Sequence, residues 1–162
     1  MILVTVGSQL PFDRLTRAVD LWCAQTGRKD VFGQIAVSGN EGYRPANFKW
    51  QAFLHPAEFR DLLEDAELIV AHAGMGSIIS ALHKAKPIIV MPRRAAFRET
   101  RNDHQVATAK RLRGRPGVFV ADNEGELVAE LGRLVATGAR LSPIPPYADP
   151  QLIAGIRKFI SG

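Results

Sequence analysis

The chain has 162 residues, of which 46% are apolar and 23% charged, and its formal net charge is +5. This length and composition fit one globular domain and exclude a collagen-like, coiled-coil or intrinsically disordered chain. The charge is local, because segment 93–115 carries eight basic and two acidic residues (+6) and the rest of the chain sums to −1. A local cluster favours an anionic ligand, partner or surface over a uniformly basic coat for nucleic acid.

The chain has one cysteine, Cys23, which lies among apolar neighbours and is predicted to be a buried, reduced thiol. A reduced thiol fits a cytoplasmic compartment. The first residues lack the basic region and cleavage site of a signal peptide, and no apolar run approaches the roughly 20 residues that span a bilayer. Any association with a membrane is therefore expected to use a partner or a surface patch.

Short apolar runs alternate with amphipathic segments along the chain. The first run, residues 2–6, is typical of a strand buried on both faces. Asp13 is predicted to cap a helix that ends at Gly27, and Pro56 to open a second helix. Further strands are predicted at 31–38, 48–54, 68–71, 87–91 and 118–120, and further helices at 74–84, 103–113, 123–136 and 151–160.

This alternation predicts an α/β fold, a Rossmann-like doubly wound parallel sheet of about six strands. Residues 1–141 are predicted to form the ligand-binding domain. Residues 142–162 are predicted to form a Pro-rich strap and a C-terminal helix with one apolar face. That helix packs either on its own domain or on a partner subunit.

Two glycine-containing segments follow predicted strands, and ligands of doubly wound sheets bind at such strand ends. Gly7 and Ser8 follow the first strand, as an ordinary turn or as a border for phosphate. Ala-His-Ala-Gly-Met-Gly-Ser at 71–77 enters a helix whose N-terminal amides favour a diphosphate. This segment is neither a Walker loop nor a complete dinucleotide fingerprint. Its His72 is either a structural histidine or a ligand-facing one.

A third polar group follows the fifth predicted strand. Arg93 and Arg94 come directly after it, and either form a solvated loop or face a ligand. Asn-Asp-His-Gln at 102–105 begins the next predicted helix. Asp103 is either the N-cap of that helix or a functional residue, and His104 and Gln105 are expected to face the same mouth as the glycine segment.

Three segments in this order, His72-Ala-Gly-Met-Gly-Ser77, Lys86-Pro-Ile-Ile-Val-Met-Pro92 and Asn102-Asp-His-Gln105, resemble the C-terminal, donor-binding domain of glycosyltransferase family 28. The opening Val4-Thr-Val-Gly-Ser8 looks like that of the small stand-alone members of the family. These include a subunit of dolichol-linked oligosaccharide assembly and bacterial subunits of exopolysaccharide synthesis. The resemblance covers essentially residues 1–140.

The resemblance implies half of a GT-B enzyme, whose active site lies between two Rossmann-like halves. This half would bind a UDP-sugar donor, and a membrane-anchored partner subunit would recruit a lipid-linked saccharide acceptor. The implied activity is inverting transfer of a hexosyl or hexuronosyl group in bacterial polysaccharide synthesis, by a heteromer active only with its partner. The chain would then be cytoplasmic, held peripherally at the inner face of the membrane.

Carried over by position, the resemblance places Gly74, Gly76 and Ser77 at the diphosphate, and His104 and Gln105 at the donor sugar. Ser80 stands where family members often carry a glutamate for the ribose, which makes a nucleoside diphosphate sugar the firmer expectation and UDP the finer one. The full candidate set is Gly7, Ser8, His72, Gly74, Met75, Gly76, Ser77, Ser80, Arg93, Arg94 and Gln105 for donor binding, and His104 and Asp103 for catalysis.

Other roles follow from what the chain contains and lacks. Asp13 is a further candidate general base, with the N-cap as its alternative. No Asp-X-Asp and no cluster with metal-ligand spacing is found, so neither a metal nor another cofactor is expected. Arg98, Arg101 and the basic residues of 110–115 are expected to face acidic lipid headgroups.

Two rival functions remain. A non-catalytic nucleotide-sugar-binding or scaffold protein would keep the glycine segment and lose the catalytic contacts. A nucleic-acid-binding module is disfavoured, because aromatic residues make up only 7% of the chain and no recognition motif is found.

Overall fold

Six strands and five α-helices alternate along residues 1–138, the part of the chain that the computed structural model describes. The predicted strap and final helix at 142–162 lie outside the described residues. The elements are β1 (Ile2–Thr5), α1 (Asp13–Thr26), β2 (Val31–Gln34), β3 (Lys49–Gln51), α2 (Pro56–Asp65), β4 (Leu68–His72), α3 (Met75–His83), β5 (Ile88–Met91), a 3-10 turn (Ala95–Phe97), α4 (His104–Leu112), β6 (Val118–Val120) and α5 (Glu124–Thr137).

The strands form one sheet in the order β3-β2-β1-β4-β5-β6, and every neighbouring pair is parallel. This is the strand order of a Rossmann fold. The predicted fold class is therefore confirmed. The order also makes β1, β4 and β5 neighbours, so the loops that leave their carboxyl ends share one edge of the sheet.

The sheet is covered on both faces, because its strands are apolar on both faces. Side chains of β1 alternate between the two layers: Ile2 and Val4 pack with α1 and α5, and Leu3 packs with α2, α3 and α4. Cys23 of α1 is fully buried in the first layer, as predicted, and burial raises the pKa of its thiol to about 11.

Two predicted strands are shorter in the structure. The prediction of 31–38 was too long, because Ala36 adopts a positive φ of 50° that ends the extended backbone of β2. The prediction of 48–54 was also too long, and β3 is an edge strand that pairs with β2 alone. Among the described helices, none has the length and apolar character needed to cross a membrane.

Candidate functional site

The three polar segments predicted from the sequence meet at the carboxyl edge of the sheet. Thr5 of β1 is in register with Ala71 of β4, and His72 of β4 is in register with Met91 of β5. The loops that begin after these residues are therefore side by side.

The imidazole of His72 connects the first two loops. A Cβ placed on Gly7 would lie 3.0 Å from His72 Cε1, and a Cβ on Gly74 would lie 2.2 Å from His72 Nε2. No real Cβ tolerates the second distance, so any other residue at position 74 would force the imidazole of His72 to move. Two features favour glycine at position 7: the close contact with His72, and a φ of +84° that disfavours any other residue.

His72 is largely buried and uncharged at neutral pH. Burial lowers the pKa of its imidazole from 6.5 to about 4, and the positive charge of Arg93 acts in the same direction. Its Nδ1 is buried and has no hydrogen-bond partner in the described structure. His72 thus packs between the glycine loops, and its part in ligand binding stays a prediction.

The N-terminus of α3 offers unpaired amides at the centre of this edge. Gly74 occupies its N-cap position, no side chain caps it, and its first turn carries no acidic residue. By contrast, α2 and α5 have capping side chains and acidic residues in their first turns. A Cβ on Gly76 would meet no atom within 4 Å, so the space above this residue is open. Such a helix end attracts an anion.

The other predicted residues of the two glycine loops differ in exposure. Ser8 and Met75 are exposed, whereas Ser77 and Ser80 are half-buried in α3. A residue missed at the sequence level, Gln34, connects the loop after β1 to the segment after β3. Its Nε2 donates to the carbonyl of Gly7 (3.1 Å), and its Oε1 accepts from the N–H of Leu54 (3.1 Å). A polar side chain at the end of an apolar strand was the available signal.

Arg93 differs from both of its predicted alternatives. It is 5% exposed, so it is not part of a solvated loop. Its guanidinium is already occupied by backbone oxygens rather than free to pair with a diphosphate, and burial lowers its pKa. The terminal nitrogens donate to the carbonyls of Val6, Leu10, Pro11 and Glu99 at 2.6–3.4 Å. Arg93 therefore holds the loop after β1 against the loop after β5.

Arg94 also departs from the prediction that it faces the donor. Its Nη2 donates to the carbonyl of Asp122 (3.0 Å), at the end of β6 and away from the glycine loops. Its backbone N–H donates to Glu99 (2.9 Å), whose carboxylate also pairs with Arg14 (2.8 Å). Burial works to lower the pKa of Arg14, but the hydrogen bond and charge of Glu99 raise it above the ordinary value.

The predicted segment at 102–105 contains one buried residue, Gln105, whereas Asp103 and His104 are exposed. Gln105 is buried, and its Oε1 accepts from the N–H of Arg93 (3.2 Å), so this geometry does not support the prediction that it faces the donor sugar. Asp103 lies at the N-cap of α4, but its carboxylate accepts from Ala95 (2.8 Å) and makes no cap bond. His104 is exposed and its Nδ1 contacts Asn102 Oδ1.

Asp13, the further candidate base, is not the N-cap that it was predicted to be. Phe12 holds the N-cap position, and Asp13 is the first residue of α1. Its Oδ1 accepts from the N–H of Tyr43 (2.8 Å). Within residues 1–138, no group of three His, Cys, Asp or Glu side chains is arranged to hold a metal ion.

A cavity of about 450 Å³ lies away from this edge. It is lined by residues at the opposite end of the sheet, including Ile2, Leu68 and Pro87. These residues lie at the amino ends of β1, β4 and β5, whereas ligands of this fold bind at the carboxyl ends. The carboxyl edge is an open surface formed by loops.

Comparison with protein families matches the chain, over residues 1–142, to the model described as the glycosyltransferase family 28 C-terminal domain. The chain is 34% identical over 118 residues to the UDP-N-acetylglucosamine transferase subunit ALG13 of Eremothecium gossypii, covering 68% of this chain and 55% of that protein. It is 25% identical over 122 residues to the mouse protein of the same name, covering 72% of this chain and 10% of that protein. The chain thus spans about half or less of the length of these relatives.

Solved structures share the fold. An NMR solution structure of ALG13 superposes with a TM-score of 0.59 at 19% identity, covering 99% of this chain and 96% of that one. The kitacinnamycin glycotransferase gives a TM-score of 0.59 at 24% identity, covering 85% and 36%. MurG of Acinetobacter baumannii gives 0.57 at 18% identity, covering 84% and 41%. In the last two, the likeness covers about a third or two fifths of the solved chain.

Proposed function

Because this chain belongs to the glycosyltransferase family 28 C-terminal domain family, we propose that it is the donor-binding subunit of a two-part glycosyltransferase. It binds a UDP-sugar at the carboxyl edge of its sheet. A partner subunit supplies the acceptor-binding half. The single observation that carries the proposal is the open, uncapped N-terminus of α3 between the two glycine loops.

The donor diphosphate is proposed to lie on the amides of the first turn of α3. Gly76 allows close approach because no atom stands within 4 Å of its open side. Ser77 supplies a hydroxyl in the same turn, and Gly7 and Ser8 border the site from β1. Neutral His72 adds no charge and holds both loops in place. A helix N-terminus is a suitable partner for a group whose negative charge grows as it leaves.

The proposed reaction is a direct displacement with inversion. An acceptor oxygen forms a bond to the anomeric carbon, the bond from that carbon to the diphosphate oxygen breaks, and the acceptor proton passes to a general base. His104 and Asp103 are the proposed residues of this chain that act near the sugar. The carboxylate of Asp103 already holds the 3-10 turn, so the partner half is the proposed source of the base.

Exposed apolar side chains around the site support the proposal that a second protein half contacts this edge. Leu10 is 54% exposed, Met75 49% and Phe97 58%, and they belong to the three loops and helices that surround the edge. All three follow strands that end at the same edge of the sheet, so a second protein half at this edge would contact them. We propose that the partner covers them when the cleft closes, and that the partner is anchored to the cytoplasmic face of a membrane.

The identities of the donor and of the acceptor are proposals narrower than the two-part enzyme. The relatives are named as subunits of a UDP-N-acetylglucosamine transferase, which makes UDP-N-acetylglucosamine the first donor to test. UDP-galactose and UDP-glucuronic acid remain in the panel, because the residues of the proposed site do not identify the sugar. Ser80, at the proposed ribose position, bears on the nucleotide, so a second nucleoside diphosphate sugar is tested beside them. The proposed acceptor is a lipid-linked saccharide of bacterial polysaccharide synthesis.

The proposal is tested in two steps with the full chain. Calorimetry with each UDP-sugar, without added metal, measures donor binding by the chain alone. Transfer to a polyprenyl-diphosphate-linked saccharide is then assayed with the chain alone and after co-expression with a membrane-anchored protein that carries the other Rossmann-like half. We expect binding in the first step and transfer only with the partner.

Each alternative gives a different result. Donor binding without transfer, even with the partner present, supports the non-catalytic scaffold. Rapid turnover by the purified chain alone contradicts the two-part enzyme. Failure of every UDP-sugar to bind contradicts UDP as the donor nucleotide, and failure of the other nucleoside diphosphate sugar as well contradicts the donor site itself.

A further inference from the structure

A second concave site lies between α4 and the segments that follow β5 and β6. It has a volume of about 330 Å³ and is lined by Arg94, Val106, Lys110, Arg113 and Asp122. Val106, Lys110 and Arg113 are four and three residues apart on α4 and its C-cap, so they share one face of that helix. None of these lining residues belongs to the glycine loops.

The charge of this cavity is unbalanced. Three of its lining residues are cations, and Asp122 is its single carboxylate. Asp122 pairs with Arg113 (2.8 Å). Among the described residues, Lys110 and the guanidinium of Arg94 have no carboxylate partner within ion-pair distance. The lining therefore carries two positive charges without a counter-charge.

The guanidinium of Arg94 also has unused hydrogen-bonding capacity. Its Nη2 donates to the carbonyl of Asp122, but its Nε is buried and has no partner in the described structure. A buried donor without an acceptor destabilises the fold. Such a group is retained more readily where a ligand supplies the acceptor.

We propose that this cavity binds a phosphoryl group. A phosphate dianion matches the two unpaired positive charges, and its several oxygens can accept from Arg94 and Lys110 together. Val106 closes one side with an apolar wall. The same chemistry is presented by a soluble phosphate and by a phospholipid headgroup. The site is separate from the proposed donor site, and the inference stands without it.

Binding of inorganic phosphate to the full chain is measured by calorimetry for three proteins. Lys110→Gln removes one unpaired cation from the lining. Arg111→Gln is the matched control, because it removes the same charge from the next residue of α4, which does not line the cavity. Both residues are exposed, so both variants keep the fold, which thermal melting verifies.

We expect Lys110→Gln to weaken phosphate binding about tenfold, as loss of a charge-assisted hydrogen bond does, and Arg111→Gln to change it less than about twofold. Equal weakening by the two variants would mean that only the general surface field attracts phosphate, and the proposal would be overturned. Absence of saturable phosphate binding by the unmodified chain would overturn it as well.

A second arm separates the two sources of the phosphoryl group. Co-sedimentation is measured with vesicles of phosphatidylcholine alone and with vesicles that also contain phosphatidic acid. A lower co-sedimentation of Lys110→Gln with the acidic vesicles, but not of Arg111→Gln, supports a lipid headgroup. Binding of inorganic phosphate with no such difference on vesicles supports a soluble phosphate. Equal losses for both variants in both arms contradict the site.

Discussion

The carboxyl ends of β4 and β5 are neighbours in the sheet, yet they present opposite chemistry. After β4, the chain turns at glycine and exposes backbone amides at an uncapped helix end. After β5, it places a charged side chain, Arg93, in the interior and fills its donors with backbone carbonyls. The first end is open to an anion, and the second holds two loops together.

This difference shows that position at a strand end is insufficient to assign a role. Both ends occupy the region where ligands of doubly wound sheets bind. A basic side chain there is free for a ligand only if no internal acceptor reaches it first. The loop after β1 brings the carbonyls of Val6, Leu10 and Pro11 to Arg93, so the cation is used inside the protein.

Replacement of Arg93 is expected to give the largest effect. Arg93→Met leaves one buried and three partly buried carbonyls without this donor and should lower the free energy of unfolding by about 3–5 kcal/mol. Arg98→Met removes the same charge from an exposed position of the same loop and should change stability by less than about 0.5 kcal/mol. Urea denaturation measures both. Similar stabilities for the two variants would mean that Arg93 is not a structural residue.

The buried imidazole of His72 predicts a pH dependence of stability. Its pKa is about 4 in the folded chain against 6.5 ordinarily, so the unfolded chain binds the proton more tightly. The neutral form therefore contributes stability above pH 6.5, and this contribution is lost as the pH falls towards 4. The pKa difference corresponds to roughly 3 kcal/mol.

The measurement compares unfolding free energies from pH 7.5 to 4 for the unmodified chain, His72→Gln and His83→Gln. His72→Gln should remove that part of the pH dependence, whereas His83→Gln, at an exposed position, should retain it. If all three proteins lose stability in parallel, the environment of His72 is not the cause.

Gly74 and Gly76, at the start of α3, give the smallest expected effects on stability. Gly74→Ala forces a methyl group into His72 and should destabilise the fold by about 1–3 kcal/mol. Gly76→Ala meets open space within a helix and should stabilise the fold by up to about 1 kcal/mol. The same methyl should weaken UDP-sugar binding about tenfold, because it stands where the diphosphate is proposed to approach.

Thermal melting and calorimetry on this pair separate packing from binding. A more stable Gly76→Ala variant with unchanged donor affinity would place the diphosphate elsewhere. A Gly74→Ala variant as stable as the unmodified chain would show that His72 moves aside easily.

The sequence by itself determined the fold class and the place of the glycine loops. Periodicity and the apolar runs located every strand and α-helix of residues 1–138, because alternation and burial on both faces are local signals. The glycine segment at 71–77 lies where it was predicted, since a strand, a glycine turn and a helix start are all encoded within a few residues.

The tertiary structure alone decided how the charged residues are used. Arg93, Arg94 and Gln105 were predicted to face a donor, but their hydrogen-bond partners are up to 87 residues away along the chain. Which carbonyl reaches a guanidinium depends on how loops from different strands pack, and no local pattern records it. Gln34 and the packing of His72 against Gly7 and Gly74 were hidden for the same reason.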